Sequence, residues 1–255
     1  MAWDPLTYMQ FGAERTRTAA DLLARIPNEK PARVIDLGCG PGNSTALLAA
    51  CWPDAEITGV DSSPEMIASA DAANINAQFV VGDFESWEPV FPPDVIYANA
   101  AFQWSPEPVA LVRRLFAHLA PGGVLAFQVP QNFDQASHVV MREVAANGPW
   151  AERLADARWY DPGGFARATD YAKALTRARR DIWTTEYLHV LRGPDPVFRW
   201  MSGTGLRPFL ERLEGAEREA FEDEIMTRFA AAYPLEPDGS TLFPFRRLFV
   251  VAARN

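Results

Sequence analysis

Cysteine and histidine are scarce: two cysteines, Cys39 and Cys51, and three histidines in 255 residues. Two thiols cannot form the disulfide framework of a small secreted domain, and nothing in their spacing suggests a zinc site. Positive charge is also in deficit. Lys and Arg number 24 against 33 Asp and Glu, leaving a net charge of −9. Proteins that grip nucleic acid or lie on anionic lipid usually carry a basic face, so both partners are disfavoured and any cationic site must be local. No apolar run approaches the roughly 20 residues that cross a bilayer. The opening "MAWDPLTYMQF" has no basic segment leading into an apolar one, so no secretory leader is expected and the predicted compartment is the cytoplasm. Internal repeats, low-complexity tracts and a Ser-His-Asp order are missing as well.

What is present is rhythm. From about Pro31 to Pro130 short apolar runs alternate with helical periods. "ARVIDLG", "EITGVD", "QFVVGD", "DVIYANA" and "VLAFQVP" read as five strands. Helices are predicted from Asn43 to about Trp52, from Pro64 to about Ala73 behind a Ser62 or Ser63 cap, and from about Glu107. Strands alternating with helices imply right-handed crossovers and an α/β, doubly wound, mostly parallel sheet. After Pro130 the pattern turns helical: about 133–157, about 165–178, and two or three helices across 196–232. A β-like run, "DIWTTEYLHVL", and a closing strand, "TLFPFRRLFVVAA", interrupt them. The expectation is one domain over 1–255, with a ligand-binding core at 31–130 and a helical cap at roughly 131–240 interleaved with the last strands.

Chemistry concentrates at the strand ends, where open α/β sheets bind ligands. Gly38, Gly40 and Gly42 follow strand one at alternate positions. Glycine admits positive φ and lets a ligand approach the main chain. The dinucleotide fingerprint is G-x-G-x-x-G. Here the spacing is G-x-G-x-G, and Asp36 stands two residues ahead of it. A carboxylate there is poorly placed for pyrophosphate and suits a ligand bearing an ammonium group. Asp61, about twenty residues on, ends strand two and can accept from ribose hydroxyls. Asp83 and Phe84 end strand three, where an adenine amino group and ring face would be met.

"DLGCGPGNST", "GVDSSPEMI", "VVGDFESW", "YANAAFQW" and "LAPGGVLAFQVP" resemble, in order, the motifs of class I S-adenosylmethionine-dependent methyltransferases. The resemblance implies a seven-stranded Rossmann-like sheet with a helical cap. It assigns S-adenosyl-L-methionine to Asp36, Gly38, Cys39, Gly40, Asp61, Ser62, Met66, Asp83, Phe84, Asn99 and Ala100, with Tyr8 and Arg17 as lid contacts from an N-terminal helix that brings Tyr8, Phe11 and Arg15 together. Further segments, "YMQFGAERTRTAADLL", "WMSGTGLRPFLERL" and "LFPFRRLFVVAAR", resemble the trans-aconitate methyltransferase family, which esterifies one carboxylate of a small polycarboxylic acid.

A carboxylate is ionised at pH 7 and needs no general base, so no catalytic residue beyond positioning groups is expected and no metal. A polycarboxylate partner needs local cations, for which arginine's planar fork is suited. Arg207 leads the candidates, ahead of Arg15, Arg17, Arg158, Arg199 and Arg246 or Arg247. Gln103, Trp104, His189 and Trp200 complete the expected acceptor contacts. Other readings stay open from sequence: another small acid, a ring hydroxyl or carbon with His189 as base, a non-catalytic cofactor-binding module, or a nicotinamide enzyme. Monomer and homodimer are equally compatible with the pattern.

Overall fold

The apolar run at Arg33–Leu37 forms β1, and its neighbours on both sides are parallel. On one side lies β2, Glu56–Asp61, which pairs Leu37 with Val60 and then carries β3, Gln78–Val81, at the sheet edge. On the other lies β4, Val95–Asn99, followed by β5, Val124–Pro130. The chain leaves one half of the sheet after β3 and re-enters the other at β4, so β1 and β4 flank the crevice where such sheets bind ligands. Long strands β6, Ala178–Arg192, and β7, Ser240–Arg254, complete the order β3-β2-β1-β4-β5-β7-β6. β7 runs antiparallel to β5, pairing Phe249 with Gln128 and Arg247 with Pro130. The seven-stranded, mostly parallel sheet expected from the sequence is present.

This computed structural model describes residues 12–157 and 165–255. They divide into two units: one of residues up to 130 with 166–185 and 247–255, the other of 131–165 and 186–246. In the first unit the helices are α1 Gly12–Leu23, α2 Asn43–Cys51, α3 Pro64–Ala72 and α4 Pro108–His118, with α7 Ala168–Ala174 later in the chain. Ser63 caps α3 by accepting from the Met66 N–H, and Pro64 sits in the first turn where no donor is lost. Leu111, Val112 and Leu115 of α4 bury one face against Phe102, Phe127 and Val250. Fully burying side chains of this size contributes about 1.5–3 kcal/mol each.

The second unit holds α5 Ala136–Ala146, α6 Ala151–Leu154, α8 Pro196–Ser202, α9 Arg207–Leu210 and α10 Gly215–Ala232. Phe221, Ile225 and Phe229 recur every four residues on α10 and are all buried, as the spacing predicts. The stretch 133–157, expected to be mostly helical, holds two helices, α5 and α6, with a break between them. There the Trp150 indole turns back to donate to the Val144 carbonyl at 2.6 Å and stacks edge-on to Phe221. The helix expected over 165–178 shortens to α7 because β6 begins at Ala178. Among the described residues no helix is long and apolar enough to cross a membrane.

Candidate active site

Between β1 and α2 the backbone rises through the glycine loop. Gly38 has φ +71, and a Cβ there would lie 2.4 Å from the Ala101 side chain of the loop after β4. The loop is also tied sideways: the N–H groups of Gly38 and Cys39 both donate to the Val60 carbonyl of β2. Asp61 ends that strand and braces the same loop. Its Oδ2 accepts from the Gly40 N–H and its Oδ1 from the Ser63 N–H, each at 2.9 Å. Burial raises the Asp61 pKa, against the lowering effect of those backbone donors. The space where a Gly40 Cβ would stand is open.

Asp36 lies under the loop and is fully buried. Ser44 and Thr45, in the first turn of α2, both donate to its Oδ2 at 2.7 Å. Its Oδ1 is buried with no hydrogen-bond partner among the described residues. Desolvation pushes its pKa up to about 6; the two hydroxyls oppose this, and the Asp61 charge adds to it.

At the carboxyl ends of β4 and β5 the floor is amide-rich. Asn99 Oδ1 accepts from Gln128 Nε2 at 2.6 Å and from Thr18 Oγ1 of α1 at 3.4 Å. Gln128 Oε1 in turn accepts from Arg247 Nη1 at 3.1 Å. Ala100 follows with φ +56, a left-handed residue that turns the chain into the loop. Gln103 donates back to the Ala100 carbonyl at 2.6 Å, and its buried Oε1 has no hydrogen-bond partner among the described residues. Trp104 is half-buried beside it. A small pocket gathers Thr16 and Ala19 of α1, Gly38, Cys39 and Ser44 of the loop and helix, and Asn99.

A match to the methyltransferase domain spans residues 11–179. The chain belongs to the methyltransferase family. Two curated relatives are similar over their whole length. The trans-aconitate 2-methyltransferase of Azoarcus sp. (strain BH72) is 48% identical over 253 residues, covering 99% of each chain. That of Streptomyces avermitilis is 47% identical over 264 residues, covering 100% of this chain and 97% of the relative. Among solved structures, the YcgJ protein of Bacillus subtilis superposes with a TM-score of 0.61 at 14% identity, covering 94% of this chain and 98% of that one. The plantazolicin methyltransferase BpumL, solved with SAH, gives 0.51 at 18% identity over 98% and 86%. At such identities these two establish the shared fold.

The methyltransferase uses S-adenosylmethionine. The residues present fit that group. Asp36 offers a buried, unsatisfied carboxylate oxygen under the loop, and the loop is bare at Gly40. An ammonium group and a close main-chain approach are what these two features accommodate.

Several other expected site residues have local partners. Asp83 is exposed and its Oδ1 accepts from the Glu85 N–H, a turn cap. Phe84 packs edge-on to Phe102 at 5.9 Å. Cys39 is buried and its thiol pKa is pushed far up by desolvation, so it carries no thiolate. Met66 is buried, Ser62 and Arg17 are exposed. In the second unit His189 sits against the Trp200 ring at 4.6 Å, with Phe243 and Phe245 near it. Arg207 pairs with Glu211 at 2.7 Å, and Arg246 with Asp134. Tyr8, Phe11 and Arg158 lie outside the described residues, as does the side chain of Arg15.

Sequence reasoning missed Thr18, Arg114 and Gln128. Arg114 of α4 donates to the carbonyls of Phe84, Glu85 and Trp87, holding the loop after β3. Gln128 had a usable signal: an amide inside the otherwise apolar "VLAFQVP" must find partners.

Proposed function

We propose that this methyltransferase esterifies one carboxylate of a small polycarboxylic acid, with trans-aconitate the best candidate. The observation that carries the reading is the 48% identity over 99% of the chain to a relative named for that reaction. The chemistry of the site agrees with it. A carboxylate acceptor is already anionic at neutral pH. Its oxygen takes the methyl group while the methyl–sulfur bond breaks toward sulfur, and no proton moves. The bound cofactor supplies the electrophilic sulfonium methyl. The chain supplies position, through Asp36, Gly40, Asp61 and Asn99 for the cofactor and Gln103 and Trp104 on the loop beyond β4 for the acceptor. Alignment of reacting groups is worth up to about 7–11 kcal/mol in favourable systems.

Residues 131–240 are assigned to acceptor recognition, with Arg207 as carboxylate contact and His189 and Trp200 as wall. Asp83 and Phe84 are assigned to the adenine end, and Tyr8 and Arg17 to a lid. The test is S-adenosylhomocysteine formation with trans-aconitate, cis-aconitate, citrate and isopropylmalate offered in parallel. Preference for trans-aconitate, lost in Arg207→Ala, is expected. Turnover on none of the four acids, with cofactor still bound, sinks the substrate assignment.

A further inference from the structure

Arginine can only donate hydrogen bonds, and that fixes the direction of a chain of amides. Arg247, buried in β7, places Nη1 3.1 Å from Gln128 Oε1. With its oxygen facing a donor-only cation, the Gln128 amide turns its NH₂ the other way. Nε2 then donates to Asn99 Oδ1 at 2.6 Å. The Thr18 hydroxyl donates to the same oxygen from α1. Asn99 thus has its oxygen occupied by two donors. Its Nδ2 donates to no described residue, and Asn99 lines the pocket of Gly38, Cys39 and Ser44.

We propose that Arg247 and Gln128 are positioning residues that hold the Asn99 amide with its NH₂ toward the glycine-loop pocket, where it donates to a carboxylate of a bound ligand. The proposal rests on the reading of this pocket as the cofactor site. Two carboxylates qualify: that of the cofactor's amino-acid end and that of the acceptor. An Asn99 turned the other way would present Oδ1 to the same carboxylate and repel it. Neither Arg247 nor Gln128 needs to touch the ligand. Both act through the orientation of a third residue.

Gln128→Glu tests the polarity directly. The substitution keeps the shape and gives Arg247 an ion-pair partner, but the new carboxylate can only accept, so Asn99 must turn its NH₂ inward. Calorimetric titration with S-adenosylhomocysteine, and with its analogue bearing a primary carboxamide in place of the carboxylate, reads the result. Wild type is expected to prefer the carboxylate. In Gln128→Glu the carboxylate form is expected to bind about 10–100-fold more weakly while the carboxamide form loses little. An unchanged cofactor affinity with a similar rise in the KM for trans-aconitate, kcat nearly unchanged, assigns the acceptor carboxylate instead. Equal affinities and KM in a folded Gln128→Glu protein overturn the proposal. If that variant does not fold, Arg247→Met and Arg247→Lys replace it: the lysine keeps a donor-only partner and is expected to restore the carboxylate preference that the methionine loses. Indistinguishable behaviour of the two overturns the proposal. Wild type that binds no S-adenosylhomocysteine refutes the reading of the pocket rather than the orientation of Asn99.

Discussion

The N–H of Gly40 donates to the carboxylate of Asp61 at 2.9 Å, joining residues 21 positions apart across the mouth of the sheet. The same carboxylate takes the Ser63 N–H on its other oxygen. Asp61 therefore shapes the loop as well as facing the crevice. Asp61→Ala frees both donors and is expected to weaken S-adenosylhomocysteine binding by about 10–100-fold, since each hydrogen bond to a charged group is worth about 1.5–3 kcal/mol. Asp61→Asn retains one acceptor and should fall between. Equal affinities for all three proteins in calorimetric titration contradict this.

Gly38 and Gly40 both have positive φ, yet they should respond differently to alanine. At Gly38 the new Cβ meets Ala101 at 2.4 Å. Gly38→Ala is expected to cost about 2–4 kcal/mol through combined overpacking and backbone strain. At Gly40 the space is open. Gly40→Ala should cost only about 1–2 kcal/mol of left-handed strain, while still impairing cofactor binding. Urea unfolding of the two variants, followed by titration, separates stability from affinity.

Asp36 gives the unliganded protein a pH dependence of definite sign. Its carboxyl holds a proton more tightly folded, at about 6, than at its ordinary value of 3.8. Between those values the folded state binds more protons than the unfolded one. This contribution to stability is full below about pH 4 and is lost as pH rises through 6, by about 3 kcal/mol at most. Asp36→Asn removes it. The wild-type minus variant difference in unfolding free energy should therefore fall between pH 4.5 and 7.5 and level off above. His138 works in the opposite sense. Burial lowers its pKa to about 3 from 6.5, so its share of stability is present above 6.5 and lost as pH falls. Taking the difference between the two proteins cancels it.

Arg114 spans the three carbonyls of Phe84, Glu85 and Trp87. Arg114→Met keeps the stem and removes all these donors. The expected outcome is faster amide exchange, with the largest increase at about residues 83–88 and a smaller one in the core that matches a global stability loss of about 1–3 kcal/mol. Uniform exchange rates in the two proteins count against a loop-holding role.

The parallel sheet was readable from the chain because its signals are local. Short apolar runs bounded by Gly and Pro mark β1 to β5, and the four-residue spacing of Phe221, Ile225 and Phe229 marks the buried face of α10. The glycine loop was readable for the same reason, since three glycines behind Asp36 constrain one short stretch of backbone. The break between α5 and α6 also carries a local mark, the helix stop Asn147-Gly148-Pro149, which the broad helical pattern over 133–157 passes over. What spacing does not show is that Trp150 then packs on Phe221, seventy-one residues away.

By itself the sequence determined the alternation of strands and helices, the loop that a ligand can approach, and the lack of any surplus basic charge. Each follows from residue type and near spacing. Only the tertiary structure decided which groups the carboxylates and amides face. Asp36 proves to be a buried acid held by Ser44 and Thr45, and Arg247 reaches Gln128 across 119 residues to set the polarity of an amide at position 99. Hydrogen bonds are directional and short, so they are settled by where folding brings their donors, and spacing along the chain carries no record of that.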